Sequence, residues 1–354
     1  MSTQASKSKK TVAFDCDVIT MAHGSGGKAM KDLIDAIFVE QFDNDELAKL
    51  EDQARISIAD LSKIGDRLAF TTDSYVVYPL FFAGGDIGKL AVAGTVNDLA
   101  VGGATPLYLT CSLILEEGLA VADLRRVIVS MAQTARACGV SIVTGDTKVV
   151  ERGSADKMFI NTAGVGVIKV GTAISAAAAR AGDVILVNGS IGDHGAAIVA
   201  SRGDLAIESD IESDCRPLSD LISNMLAVCP DIRSMRDATR GGIATVLNEF
   251  ASASKLCFKL DERSVPLKSE VRGICEILGL DPFYLANEGK IVVVAPASAA
   301  QSLLQCMRAH PDGRDAAIIG EVLPAPESMV IVKTIFGGEK ILDMLVGDQL
   351  PRIC

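Results

Sequence analysis

The chain has 354 residues, a formal net charge of −11, 49% hydrophobic residues and no tryptophan. That length predicts two domains, with cores filled by Ala, Val, Ile and Leu. The acidic balance argues against a nucleic-acid-backbone binder, but not against a nucleotide site in which Mg2+ bridges carboxylates to phosphates.

Residues 1–20 read as a disordered N-terminal extension; no apolar segment follows Ser6–Lys10, so no signal peptide is expected. His23-Gly24-Ser25-Gly26-Gly27-Lys28 then leads into a helix expected over Ala29–Phe38. Leu68–Thr72 reads as a strand ending in Asp73, and Gly88–Gly102 as a small-residue helix that must pack closely. A strand at Leu107–Leu115, a helix at Val121–Cys138, a buried strand at Ser141–Thr144 and a strand at Phe159–Val170 follow. The Ala-rich segment Ala173–Ala179 marks a boundary near residue 175, and a strand at Val184–Val187 opens the second half. Helices are expected there near 194–202, 217–228, 241–253 and 298–309, with strands near 256–260, 290–295, 316–322 and 329–335. The expected fold is α+β, an α/β sandwich in two domains (21–175 and 176–340), with a mobile tail over 341–354. Asp86, Lys89, Asn97 and Asp98 interrupt the apolar stretch Val76–Leu115, so no membrane span is expected. Nine cysteines without a C-x-x-C pair, among them Cys111, Cys138 and Cys257 in apolar runs, fit buried thiols in a reducing cytoplasm.

The glycine-rich loop can cradle phosphate through its backbone amides, with Lys28 and a helix start adding positive potential; it can equally be a plain turn. Asp73, Asp86, Asp98 and Asp146 each sit among apolar or glycine residues, a costly place for a lone carboxylate. Singly each reads as a cap or turn; together they suit a metal–phosphate site. His194, in Ile191-Gly192-Asp193-His194-Gly195, reads first as a polar surface residue. In Arg236-Asp237-Ala238-Thr239-Arg240-Gly241-Gly242, Asp237 or Thr239 is expected to cap the next helix, and the two arginines are either surface charges or an anion clamp. Glu288 is either a turn residue or a positioned base. The last eight residues, Gly347 to Cys354, have no periodicity. Extended, such a segment reaches about 25 Å, far enough for Cys354 to carry a group between two places.

Taken in order, His23–Lys28, Thr71–Ser74, Gly84–Lys89, Asn97–Ala100, Gly145–Val149, Gly192–Gly195, Arg236–Gly242, Asn287–Lys290 and Pro351–Cys354 resemble the HypE family of hydrogenase maturation proteins. The internal motifs alone resemble the wider superfamily of aminoimidazole ribonucleotide and selenophosphate synthetases, whose members use a free small substrate; the terminal Pro-Arg-Ile-Cys selects HypE. Ala238 departs from the proline of the family pattern. The resemblance implies a homodimer whose N-terminal domains pair their sheets into a barrel, with ATP near that interface. It implies that the carbamoyltransferase HypF loads Cys354 as an S-carboxamide. ATP-dependent dehydration then yields a thiocyanate, whose cyanide passes to iron on the HypC–HypD scaffold of [NiFe]-hydrogenase. Carried onto this sequence, Asp73, Asp98 and Asp146 hold Mg2+. Gly26, Gly27, Lys28, Asp86, Lys89, Asn97, Arg236 and Arg240 surround ATP. Cys354 carries the carboxamide, while Lys148 and Glu288 position and deprotonate its nitrogen.

Overall fold

The computed structural model describes residues 14–203, 209–347 and 350–354. Its first half opens with short helices α1 (Lys28–Leu33), α2 (Glu40–Phe42) and α3 (Ile58–Leu61). Strand β1 (Arg67–Tyr75), the hairpin β2 (Phe81–Phe82) and β3 (Gly85–Asp86), and helix α4 (Ile87–Val101) follow. Then come β4 (Ala104–Glu116), α5 (Val121–Cys138), β5 (Ser141–Val150) and β6 (Met158–Ile168). The second half contains β7 (Val184–Val187), α6 (Asp193–Arg202), α7 (Ser219–Val228), β8 (Ser234–Asp237), α8 (Gly242–Ser254) and β9 (Cys257–Asp261). It closes with α9 (Ser269–Leu278), β10 (Ile291–Ala295), α10 (Ala300–Ala309), β11 (Ala317–Leu323), β12 (Met329–Lys333) and β13 (Glu339–Ile341).

The strands form two large sheets. One has order β1-β6-β4-β5, the other β13-β12-β9-β11-β7-β10-β8. The mixed α/β architecture therefore divides between Ile168 and Val184. On the first sheet, Tyr75, Thr162, Leu109, Cys111 and Leu113 point inward to α4 and α5, while Leu68, Phe70 and Ile114 stand on an uncovered face. Helix α4 is buried on every side except at Lys89 and Asp98, as expected of a helix that is apolar all round. A Cβ at Gly94 would lie 2.4 Å from the Tyr75 hydroxyl, which is the close packing that its small residues foretold.

Three expectations change. Residues 1–13 of the expected extension lie outside the described residues, but the chain is ordered before residue 20: Ile19 is fully buried and its N–H donates to Leu119 O. The tail begins later than 341, because Ile341 ends β13 and Leu342 is buried against the second sheet. Helix α9 and strand β8 were not anticipated. Gly273 sits inside the former, and the latter is only four residues long and half charged.

Candidate active site

A cavity of about 690 Å3 opens where the end of β1 meets the second half of the chain, lined by Asp73, Asn161, Arg240, Tyr284 and Cys354. The last residues form part of its wall. Val76 N–H donates to Cys354 O and Tyr78 N–H to Arg352 O, both at 3.2 Å, so the tail lies antiparallel beside the segment that continues β1. Ile353 is buried in the first-half core, and Arg352 pairs with Asp156 at 2.7 Å while its guanidinium sits over the Tyr78 ring.

The Cys354 thiol lies near the carboxyl of Glu288, itself only 3% exposed; the carboxyl strengthens the thiol's hold on its proton, and the thiol weakens the carboxyl's. Burial pushes Glu288 well above the usual carboxylate range, and the Asp237, Asp214 and Asp73 carboxylates push it further. Its Oε1 has no hydrogen-bond partner among the described residues. Burial and the Glu288 charge also push the Cys354 thiol well up, with Arg240 opposing them. Asp214 fixes Glu288 in place: its carboxylate accepts the amides of Glu288 (3.0 Å) and Gly289 (3.1 Å) and pairs with Lys290 at 3.1 Å. Burial works against the Asp214 charge, but Lys290 and those amides leave it below its ordinary value. Only glycine fits at 289, where a Cβ would lie 1.9 Å from Asp214 O.

Beside this pair lies an acidic cluster. Thr71 Oγ1 donates to Asp98 at 2.7 Å, while burial and the neighbouring Asp73 raise the Asp98 carboxyl. Asp237 is pushed up to about 7 by burial and by the Asp98 and Asp73 charges. Asp237 is thus part of the cluster and does not cap α8, whose N-cap residue is Gly241. Arg236 is exposed and paired with Glu249, so it is no free anion clamp; Arg240 lines the cavity.

The remaining anticipated residues lie elsewhere. Asp146 and Lys148 form an exposed ion pair of 2.9 Å on β5, and hydrogen bonding to Lys148 holds Asp146 below its ordinary value. Gly26, Gly27 and Lys28 are exposed, and Gly24 packs against Val149 on the same strand. The pairing register runs Asp146–Ser112–Asn161–Ser74 across the sheet, so Asp146 is three strand spacings, about 14 Å, from the row's end at β1. Asp73, next to Ser74, points to the opposite face with Thr162. Asp73 and Asp146 therefore cannot bind one ion within a single chain, nor can Lys148 reach Glu288 there. Among the described residues no group of three acidic, His or Cys side chains surrounds a metal-sized space.

Asp86, Lys89 and Asn97 are engaged in the fold. Asp86 caps α4 by accepting Gly88 N–H (2.8 Å) and Lys89 N–H (3.1 Å), and takes a bond from Ser130 Oγ at 2.6 Å. Lys89 Nζ donates to Gly84 O at 2.8 Å. Asn97 is buried and ties α4 to the second half, donating to Arg216 O (3.1 Å) and accepting Leu218 N–H (2.7 Å). His194, expected at the surface, is fully buried against the tail. Sequence reasoning missed Asp214 altogether, since 74 residues separate it from Glu288.

Residues 51–168 match the family described as AIR synthase related protein, N-terminal domain, and residues 180–333 its C-terminal domain. The chain is 55% identical over 336 residues to the carbamoyl dehydratase HypE of Rhodobacter capsulatus, covering 95% of this chain and 98% of that protein. It resembles a crystal structure of the hydrogenase maturation protein HypE in complex with ATP (TM-score 0.89, 48% identity, 94% of this chain and 99% of that one). It also resembles the crystal structure of a HypE–HypF complex (TM-score 0.76, 43% identity, 90% of this chain and 100% of that one).

Proposed function

The chain belongs to the carbamoyl dehydratase HypE family, and from that premise we propose that it dehydrates an S-carboxamide carried on Cys354 to a thiocyanate at the expense of ATP. The observation that carries this reading is the seat of the terminal thiol, beside the buried Glu288 carboxyl on the wall of a cavity large enough for a carbamoyl group and phosphates. In balance, the carboxamide and ATP give the thiocyanate, ADP, inorganic phosphate and a proton: the C–O bond breaks, both N–H bonds are lost and a C≡N bond forms.

Bound Mg-ATP supplies the γ-phosphoryl group that makes the carboxamide oxygen a leaving group. The donor set fits Mg2+: Asp73 and Asp98 crowd each other with excess negative charge, and Mg2+ is commonly held by one or two carboxylates, with phosphates and water completing its shell. Burial and its acidic neighbours raise Glu288, so it would act as base once ionised, taking one proton from the carboxamide nitrogen while the departing phosphate carries the other. Arg240, on the cavity wall, would offer its guanidinium to the phosphates. The partial burial of Cys354 limits the approach of water to an activated group. The same burial keeps the free thiol protonated, so loading by HypF belongs to an undocked tail.

Docking energies support such a swinging arm. Ile353 burial and five hydrogen bonds to the tail carbonyls are worth roughly 8 kcal/mol together. Ordering five residues costs about 5–10 kcal/mol. The two nearly cancel, which suits a tail that enters and leaves.

Asp146, Lys148 and the loop Gly26-Gly27-Lys28 complete the site from a second copy of the chain in this reading. Its support is the uncovered sheet face with exposed Leu68, Phe70 and Ile114, the apolar surface that a barrel-forming homodimer would bury. The product's cyanide then passes to iron on HypC–HypD. Intact mass tests the reaction: after loading by HypF, Mg-ATP should remove one water from the carbamoylated chain. A loaded mass unchanged by Mg-ATP overturns it.

A further inference from the structure

The proposed reaction does not by itself give a role to His194, a fully buried side chain with both ring nitrogens engaged. Nε2 lies 2.7 Å from Ile353 O, and Nδ1 lies 2.8 Å from Ser213 Oγ. A carbonyl oxygen only accepts, so Nε2 carries the proton. Ser213 is itself anchored, its Oγ accepting Cys215 N–H at 3.0 Å, and the Phe82 ring meets the imidazole edge-on at 5.5 Å.

The geometry at the tail makes this contact specific. The Arg352 and Cys354 carbonyls accept from Tyr78 and Val76, whereas the intervening Ile353 carbonyl finds its partner in His194. Without His194 that buried oxygen would be orphaned. The Ile353 oxygen lies in the same rigid peptide plane as the Cys354 nitrogen and Cα. Holding the oxygen therefore sets the plane from which the Cys354 side chain projects toward Glu288. Ser213 and Asp214 are consecutive, and one holds His194 while the other accepts the Glu288 amide. A single dipeptide thus orients both the carrier and its candidate base.

Resting on the dehydration reading above, we propose that His194 is a positioning residue, whose Nε2–H anchors the Ile353 carbonyl and so aims the group on Cys354 at Glu288. The test compares His194→Ala and His194→Gln in the full chain loaded by HypF, following water loss by intact mass under single turnover with Mg-ATP. The resting chain is followed separately by the rate at which iodoacetamide alkylates Cys354. With alanine, dehydration should slow and alkylation quicken by roughly tenfold each, as expected for one lost buried hydrogen bond. Calorimetric Mg-ATP affinity should stay within about twofold, since nothing of the nucleotide site is removed. Glutamine, which keeps an N–H donor close to the Nε2 position, should restore both rates most of the way. Alanine reacting like the parent chain in both assays overturns the proposal, as does glutamine behaving like alanine. Where the variants fail to fold, 15N-histidine spectra of the parent chain decide. The Nε2–H signal of His194 should shift when residues 351–354 are deleted, and an unmoved signal overturns the anchor. A parent chain that never loses water defeats the proposed reaction, while alkylation and ring spectra still test the contact.

Discussion

Replacing Glu288 by glutamine keeps the side chain's volume and removes its capacity to take a proton. Burial first, then the carboxylates of Asp237, Asp214 and Asp73, raise Glu288 well above its ordinary value of 4.5. The folded chain thus keeps this proton at pH values where the unfolded chain has released it. Stability from this group is complete below 4.5 and is lost as pH rises through the folded value. Each pH unit crossed inside that window costs about 1.4 kcal/mol. Glutamine removes the slope, so at pH 8 Glu288→Gln should melt at or above the parent chain, by roughly 1–3 °C per kcal/mol regained. Dehydration should move the other way, falling ~10²–10⁴-fold, the ordinary weight of a general base. In the parent chain its rate should climb with pH as Glu288 ionises. Differential scanning calorimetry at pH 5 and pH 8 reads the first effect, and single-turnover intact mass reads the second. A variant that dehydrates at the parent rate refutes Glu288 as base. A variant that melts lower at pH 8 refutes the view that this carboxyl is a strained group and not a stabilising contact.

Asn97→Ala leaves Arg216 O and Leu218 N–H without their partner and should destabilise the chain by about 1–3 kcal/mol in urea titrations. Weakened Mg-ATP binding with unchanged stability would instead return Asn97 to the nucleotide site. Phe70→Asp places a charge on the uncovered sheet face, where Phe70 is 72% exposed. Light scattering should then find monomers, and calorimetric Mg-ATP affinity should fall at least tenfold as the partner's Asp146 and Lys28 are lost; a dimer that persists with full affinity would sink the shared site. Asp98→Asn should weaken Mg-ATP at least tenfold while leaving Cys354 alkylation unchanged, and undiminished affinity would remove Asp98 from the metal site.

Local signals placed most elements because periodicity and caps are local properties. The helix Val121–Cys138 and the strand Val184–Val187 were legible to the residue. Strand β5 ran six residues further than expected, through Gly145-Asp146 to Val150, since pairing with β4 outweighs a turn-like dipeptide. The tail's last four residues carried the family resemblance, but their seat beside the segment that continues β1 was not legible. His194 reads as polar in a string of letters and becomes an anchor only when α6 is laid beside residue 353.

The division of the candidate aspartates is the deepest illegible feature, and it follows from the sheet alone. Asp73 and Asp146 sit in similar motifs, each an aspartate beside threonine, and the sequence offers nothing to separate them. Strand order puts β1 and β5 at opposite edges, and the period of two puts the carboxylates on opposite faces. Neither property is encoded near either residue; both depend on β6 and β4 inserting between them. Asp98 reaches Asp73 because α4 crosses the inner face, and Asp237 arrives from β8 of the other sheet. One acidic cluster is thus assembled from three distant segments of one chain. The Asp146–Lys148 pair stands on the opposite, uncovered face, where a second copy of the chain would have to dock for the proposed two half-sites to become one.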